Sequence, residues 1–235
     1  MRKIKFETGK FYHIYNRGVD KRDVYMDEGD FERFLKSLRE FNRLDPIGSL
    51  VDLEEKRRLE SNSLGIFETV PNKPECSKGI GSLTTSGSER IVDFIAYCLN
   101  PNHFHFILRQ VVDEGISKFM HKLSLGYTCY FNLKNNRSGS LFQGKFKAVK
   151  IDSDEHLLWV TAYVNGNAQI HGLIPDAADY KWCSYPEYLG KRDLDICDKS
   201  VILDKFKDTE SFKSASEECF RKMKEGKNLQ KYILD

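Results

Sequence analysis

Two histidines separated by one bulky apolar residue stand in the run Asn100-Pro101-Asn102-His103-Phe104-His105-Phe106-Ile107-Leu108. On a β-strand, successive side chains alternate between faces, so both imidazoles leave one face while Phe104, Phe106 and Leu108 leave the other. Two neutral imidazoles at that spacing offer two nitrogen ligands to a divalent cation, given a third ligand from elsewhere and open positions for a substrate. The same spacing also suits two structural histidines in a half-buried strand, so the rest of the chain must decide.

Tyr163 and Asn167 lie four residues apart in Tyr163-Val164-Asn165-Gly166-Asn167. On a helix they share a face and point a phenol and a carboxamide at the same place. The phenol is a potential nucleophile and the amide oxygen a potential metal ligand. The plainer readings are a core tyrosine with a bonded hydroxyl and an asparagine C-cap. Charge adds a third signal, because no Asp or Glu falls between Gly115 and Ile151, whereas Lys118, Lys122, Lys134, Arg137, Lys145, Lys147 and Lys150 all do. Cations without local carboxylates, interleaved with Tyr127, Tyr130, Phe131, Phe142 and Phe146, suit a polyanion with stackable bases better than a solvated face of mixed sign. Arg17, Lys21 and Arg22 extend that surface, diluted by Asp20 and Asp23.

The elements that position these groups follow from periodicity. Phe11 to Asn16 alternates as a strand ending at Arg17-Gly18. Glu28 to Arg43 has helical spacing with Asp27 as N-cap. Residues 44–89 break into Pro, Gly, Ser and charge, and are expected to form a flexible insertion with one short helix near Leu53 to Leu59. Ile91 to Leu99 and His103 to Leu108 form a hairpin turning at Asn100-Pro101-Asn102. Ile116 to Leu133 is a long helix, Phe146 to Ile151 a strand, and Ser153 caps a third helix carrying Tyr163. Ser211 to Lys224 is expected to be a peripheral helix. The order β, α, insertion, β, β, α, β, α, tail predicts an α+β, ferredoxin-like antiparallel sheet with helices mainly on one face. The expected division is a main domain over 1–175 and a helical tail over 176–235.

At 235 residues and 40% hydrophobic content the chain can bury one substantial core. The net charge of +2 implies no partner by itself. Six dispersed cysteines without a CxxC point to reduced thiols. The start Met1-Arg2-Lys3-Ile4-Lys5 lacks a secretory apolar region, and no apolar run approaches the ~20 residues of a membrane span. The expectation is a soluble, cytoplasmic, nucleoid-associated protein with no membrane partner.

Four segments occur in one order: Tyr12-His13-Ile14-Tyr15-Asn16-Arg17-Gly18, Asn100 to His105, Gly139-Ser140-Leu141-Phe142-Gln143-Gly144-Lys145-Phe146, and Tyr163 to Asn167. Together they resemble the single-tyrosine HUH transposases, an IS200-like family, in particular the subgroup associated with repetitive extragenic palindromes (REP). The resemblance implies an HUH endonuclease-type fold in which His103, His105 and Tyr163 are catalytic. His103, His105 and Asn167 would hold Mg²⁺ or Mn²⁺, with Asn167 where related insertion-sequence enzymes use glutamine. Tyr163 would cleave and rejoin single-stranded hairpin DNA through a 5′-phosphotyrosine. Arg17, Arg22, Lys118, Lys122, Arg137, Gln143, Lys145, Lys147 and Lys150 would bind the palindromic hairpin, and a monomer is favoured over a dimer.

Several positions depart from the family pattern. Ala168 replaces a usual proline, Gly166 is expected to loosen the helix end, and Phe142 and Lys145 replace a common tryptophan and arginine. The alternatives are a catalytically inactive, hairpin-binding regulatory protein and a metal-dependent nuclease using water in place of tyrosine.

Overall fold

The computed structural model describes residues 4–45, 48, 50–63 and 90–226. Four strands, β1 (Phe11–Arg17), β2 (Val92–Asn100), β3 (His103–Gln110) and β4 (Lys147–Ile151), form one antiparallel sheet in the order β2-β3-β1-β4. Asp27 caps α1 (Glu28–Glu40) by accepting from the Asp30 N–H, and Ser153 caps α4 (Asp154–Ile170) by accepting from the His156 N–H. Such caps satisfy backbone donors that the first helical turn leaves without partners. The expected short helix in the insertion is α2 (Leu50–Ser63), and the remainder of that insertion, 64–89, lies outside the described residues.

The sheet is buried on both sides. Phe34 and Leu38 of α1, with Phe119, Leu123 and Tyr127 of α3 (Gly115–Lys134), cover the face carrying Ile14, Phe94, Phe104, Phe106 and Leu108. Leu157, Val160 and Val164 of α4 cover the opposite face at Ile95, Ala96, Ile107 and Ile151. The α+β antiparallel plan is as expected, but the helices divide between the two faces rather than gathering mainly on one. The reason is legible in β2, which is buried nearly throughout instead of alternating with polar residues. Its pairing shifts between Phe94 and Ala96, so Ile95 and Ala96 both serve the α4 face while Phe94 and Tyr97 serve the other.

The helix expected to be peripheral is a structural wall. After the short helices α5 (Tyr185–Tyr188) and α6 (Ser200–Leu203), α7 (Thr209–Lys224) buries Phe212, Phe220 and Met223 against α4. Upstream of it the chain also covers the free edge of β2, where Leu99 donates to the Trp182 carbonyl at 2.9 Å and Ser184 donates to that of Tyr97 at 2.9 Å. Covering an edge in this way removes a template for intermolecular strand pairing.

Candidate functional site

The register of β1 and β3 gathers the chemistry. Arg17 pairs with His103, Tyr15 with His105 and His13 with Ile107, so the two-residue period places His13, Tyr15 and Arg17 on the face of the two histidines. That is the α4 face. The Tyr163 ring stands edge-on to His105 with centroids 5.4 Å apart, and to His13 at 6.1 Å. A cavity of about 570 Å³ opens here, walled by Tyr15, Asn16 and Arg17 of β1, His103 and His105 of β3, and Tyr163 of α4. Gln143, Lys147 and His171 complete the wall. A recess of about 650 Å³ at Phe6, Glu114, Ser117 and Lys145 holds none of the histidines.

Gln143 is delivered by the 139–146 loop, which runs along the end of β1: the Gln143 N–H donates to the Arg17 carbonyl at 2.7 Å, and Phe142 bridges to Gly18. Gly144 turns that loop at a φ of +67°, a conformation that side chains disfavour. Lys147 leaves β4 and stands over the Tyr15 ring at 5.5 Å.

The imidazoles are held neutral. Burial, reinforced by the nearby Arg17 charge, pushes His103 down to about 4, and burial with the neighbouring His13 lowers His105 well below the usual imidazole value. Burial brings His13 down to about 3. Taking a cation's charge out of water disfavours the protonated ring, and the neutral ring keeps a lone pair for coordination.

Hydrogen bonds fix which nitrogens carry the lone pairs. Asn102 donates its amide to the Lys21 carbonyl at 3.1 Å, which turns its Oδ1 toward His103 Nδ1 at 2.6 Å. His103 therefore carries its proton on Nδ1 and leaves Nε2 bare. His105 Nδ1 meets His13 Nε2 at 3.0 Å. Asn167 is fully buried, with its Oδ1 accepting from Asn100 Nδ2 at 2.6 Å, and that same nitrogen lies 2.9 Å from His103 Nε2. Two acceptors, on β3 and α4, thus converge on the Asn100 amide nitrogen. Their donor set, imidazole nitrogen with an amide oxygen, is one that a divalent cation can use.

Asn167 is not a C-cap, since α4 continues to Ile170 and His171 caps it. The expectation that Gly166 loosens the helix end is also overturned, because a Cβ there would meet the Phe220 ring at 2.4 Å, so the glycine admits α7 against α4. Tyr127 and Tyr130 are structural phenols, donating to the Val24 carbonyl at 2.7 Å and to Asp30 at 3.0 Å.

The cationic residues divide. Arg17, Gln143 and Lys147 face the cavity, and Lys145 borders an adjoining recess with Asn16 and His121. Lys122 instead donates to the Leu44 carbonyl, Lys118 to that of Asp113, and Arg137 to Asn132 and Ser140. Arg22 donates to the Val19 carbonyl. Lys150 pairs with Glu7 at 2.7 Å, and Lys134 with Asp27 and Asp30 at 2.7 Å each. The acid-free stretch therefore finds carboxylates supplied by other parts of the fold.

Sequence reasoning passed over His13, Asn100, Asn102 and His171 as site residues. His13 was recoverable from its alternation with Tyr15 and Arg17, and His171 from the four-residue step that runs through Tyr163 and Asn167.

Among the described residues, no helix is long and apolar enough to cross a membrane. No curated protein matches the chain. A solved structure described as a REP-associated tyrosine transposase bound to a REP hairpin aligns with a TM-score of 0.50 at 12% identity, covering 84% of this chain and 96% of that one. The two share the fold. A family model described as "Transposase IS200 like" matches residues 76–167, a span that contains His103, His105, Tyr163 and Asn167. The likeness to that family covers residues 76–167, less than half of the chain.

Proposed function

We propose that this protein cleaves and rejoins single-stranded hairpin DNA, with Tyr163 as nucleophile. The observation that carries the reading is the Tyr163 ring standing edge-on to His105, 5.4 Å between centroids, inside a cavity rimmed by Arg17 and Lys147. Arg17 and Lys147 hold the scissile phosphate by charge, and Gln143 offers a neutral donor beside them. Tyr163 Oη bonds to phosphorus as the bond to the 3′-oxygen breaks. The phenolic proton passes to solvent, the 3′-oxygen takes one up, and the product is a 5′-phosphotyrosine with a free 3′-hydroxyl. The phosphoester is conserved, so attack by a 3′-hydroxyl on the adduct rejoins the strand. His103, His105 and Asn167 would hold Mg²⁺ or Mn²⁺, which when bound supplies charge stabilisation to the phosphate oxygens. Tyr163 faces the histidines of its own chain, an arrangement that supports a monomer acting alone.

The test is a 3′-labelled hairpin, whose label stays on the tyrosine-linked segment, incubated with the protein and Mn²⁺ and followed by denaturing electrophoresis. The expected result is a protein–DNA adduct that is lost in Tyr163→Phe. An adduct that persists in this variant overturns the nucleophile. Salt-sensitive hairpin binding without any adduct supports the regulatory, non-cleaving reading instead.

A further inference from the structure

We propose that Asn100 is an internal competitor of the divalent cation: its amide nitrogen occupies the point on which His103 and Asn167 converge, and it must withdraw before the two can ligate. The inference rests on the metal site proposed above. Asn100 ends β2 and is fully buried. Its Nδ2 lies 2.6 Å from Asn167 Oδ1 and 2.9 Å from His103 Nε2, so each of its two protons has an acceptor. Its Oδ1 faces the Cys98 thiol at 3.6 Å.

The tautomer of His103 makes the competition direct. Because Asn102 holds the proton on Nδ1, the Nε2 lone pair that accepts from Asn100 is the one a cation would use. Asn167 Oδ1 is the second acceptor, and its other amide atom, Nδ2, has no hydrogen-bond partner. A cation cannot use the single His103 Nε2 lone pair while it accepts from Asn100, and a cation bridging His103 and Asn167 would need the space that the Asn100 nitrogen fills. In the metal-free protein the Asn100 amide therefore stands in for a cation, holding two acceptors together that would otherwise face each other without a donor. Two consequences follow from one contact: the empty site is kept in shape, and cation affinity is lowered by the two hydrogen bonds that must be given up.

Mn²⁺ titration of the full chain by calorimetry, together with thermal melting with and without Mn²⁺, tests this through binding and stability rather than turnover. Asn100→Ala removes the donors and vacates the point, and Asn100→Val repeats the test with a larger side chain that ends at Cγ and carries no donor. Either variant is expected to bind Mn²⁺ about tenfold more tightly than the unaltered chain, to melt lower without metal and to gain more from it. Equal or weaker Mn²⁺ binding in both variants overturns the competition, weaker binding marking the amide as a ligand. His105→Ala separates this from the underlying reading. If Mn²⁺ binding is indifferent to His105, or absent in the unaltered chain and in both Asn100 variants, the metal site itself falls and this inference with it.

Discussion

Gly166→Ala should destabilise a helix that a glycine-to-alanine change ordinarily strengthens. In an unencumbered helix interior the substitution gains about 1 kcal/mol, because glycine loses more backbone freedom on folding. At position 166 the added Cβ would lie 2.4 Å from Cδ1, 2.5 Å from Cε1 and 2.8 Å from Cγ of Phe220. These are atoms at both ends of one ring edge, including the one nearest the backbone, so the ring cannot clear the methyl by a small tilt. Overpacking of this kind costs about 1–3 kcal/mol, and a clash including Cγ belongs at the upper end. The net expectation is a loss of about 1–2 kcal/mol. Phe220→Ala alone should lose about 3–5 kcal/mol through burial and cavity terms. In the double variant the alanine methyl enters space the ring has vacated, so the combined loss should fall short of the sum by at least 1 kcal/mol. Urea denaturation at an unchanged m-value measures all four corners of the cycle. A stabilised Gly166→Ala, or additivity within about 0.5 kcal/mol, would refute the claim that this glycine exists to admit α7.

Acid should weaken the fold earlier than carboxylate titration alone predicts. His13 at about 3, His103 at about 4 and His105 well below the usual value each bind their proton more readily unfolded, at about 6.5, than folded. Their contribution is complete above pH 6.5 and is lost as pH falls toward 4, by up to about 1.4 kcal/mol per pH unit for each ring. Stability that is flat between pH 7 and 5 in urea titrations would contradict the buried neutral imidazoles. Arg17→Ala and Lys147→Ala should weaken hairpin binding and each reduce the salt slope by about 1. Lys150→Ala should do less because Glu7 already holds that lysine at 2.7 Å, and fluorescence anisotropy across a salt series distinguishes the cases. Lys134→Met should cost about 1–3 kcal/mol of stability by taking the cation from the fully buried Asp30 carboxylate, which keeps only the Tyr130 hydroxyl and the Met26 N–H as donors, with little change in hairpin affinity on the same assay.

The sequence by itself determined the local elements and which groups stand as candidates for the chemistry. Alternation around His103 and His105 defines a strand and a face, and the four-residue step from Tyr163 to Asn167 defines a helix face. The caps at Asp27 and Ser153 read directly because capping depends on neighbours in the chain. Only the tertiary structure decided how those faces meet. Pairing β1 with β3 brought in His13, whose partner His105 lies 92 residues away, and α4 crossing the sheet placed Asn167 against Asn100. It likewise supplied Asp27, Asp30 and Glu7 to lysines whose own segment holds no acid, and it turned Gly166 from a loose helix end into the seat of Phe220. The division follows the range of the forces: propensity, capping and periodicity act within a few residues. Partner assignment for a buried polar or charged group depends instead on burial and contact across the chain, which no local window contains.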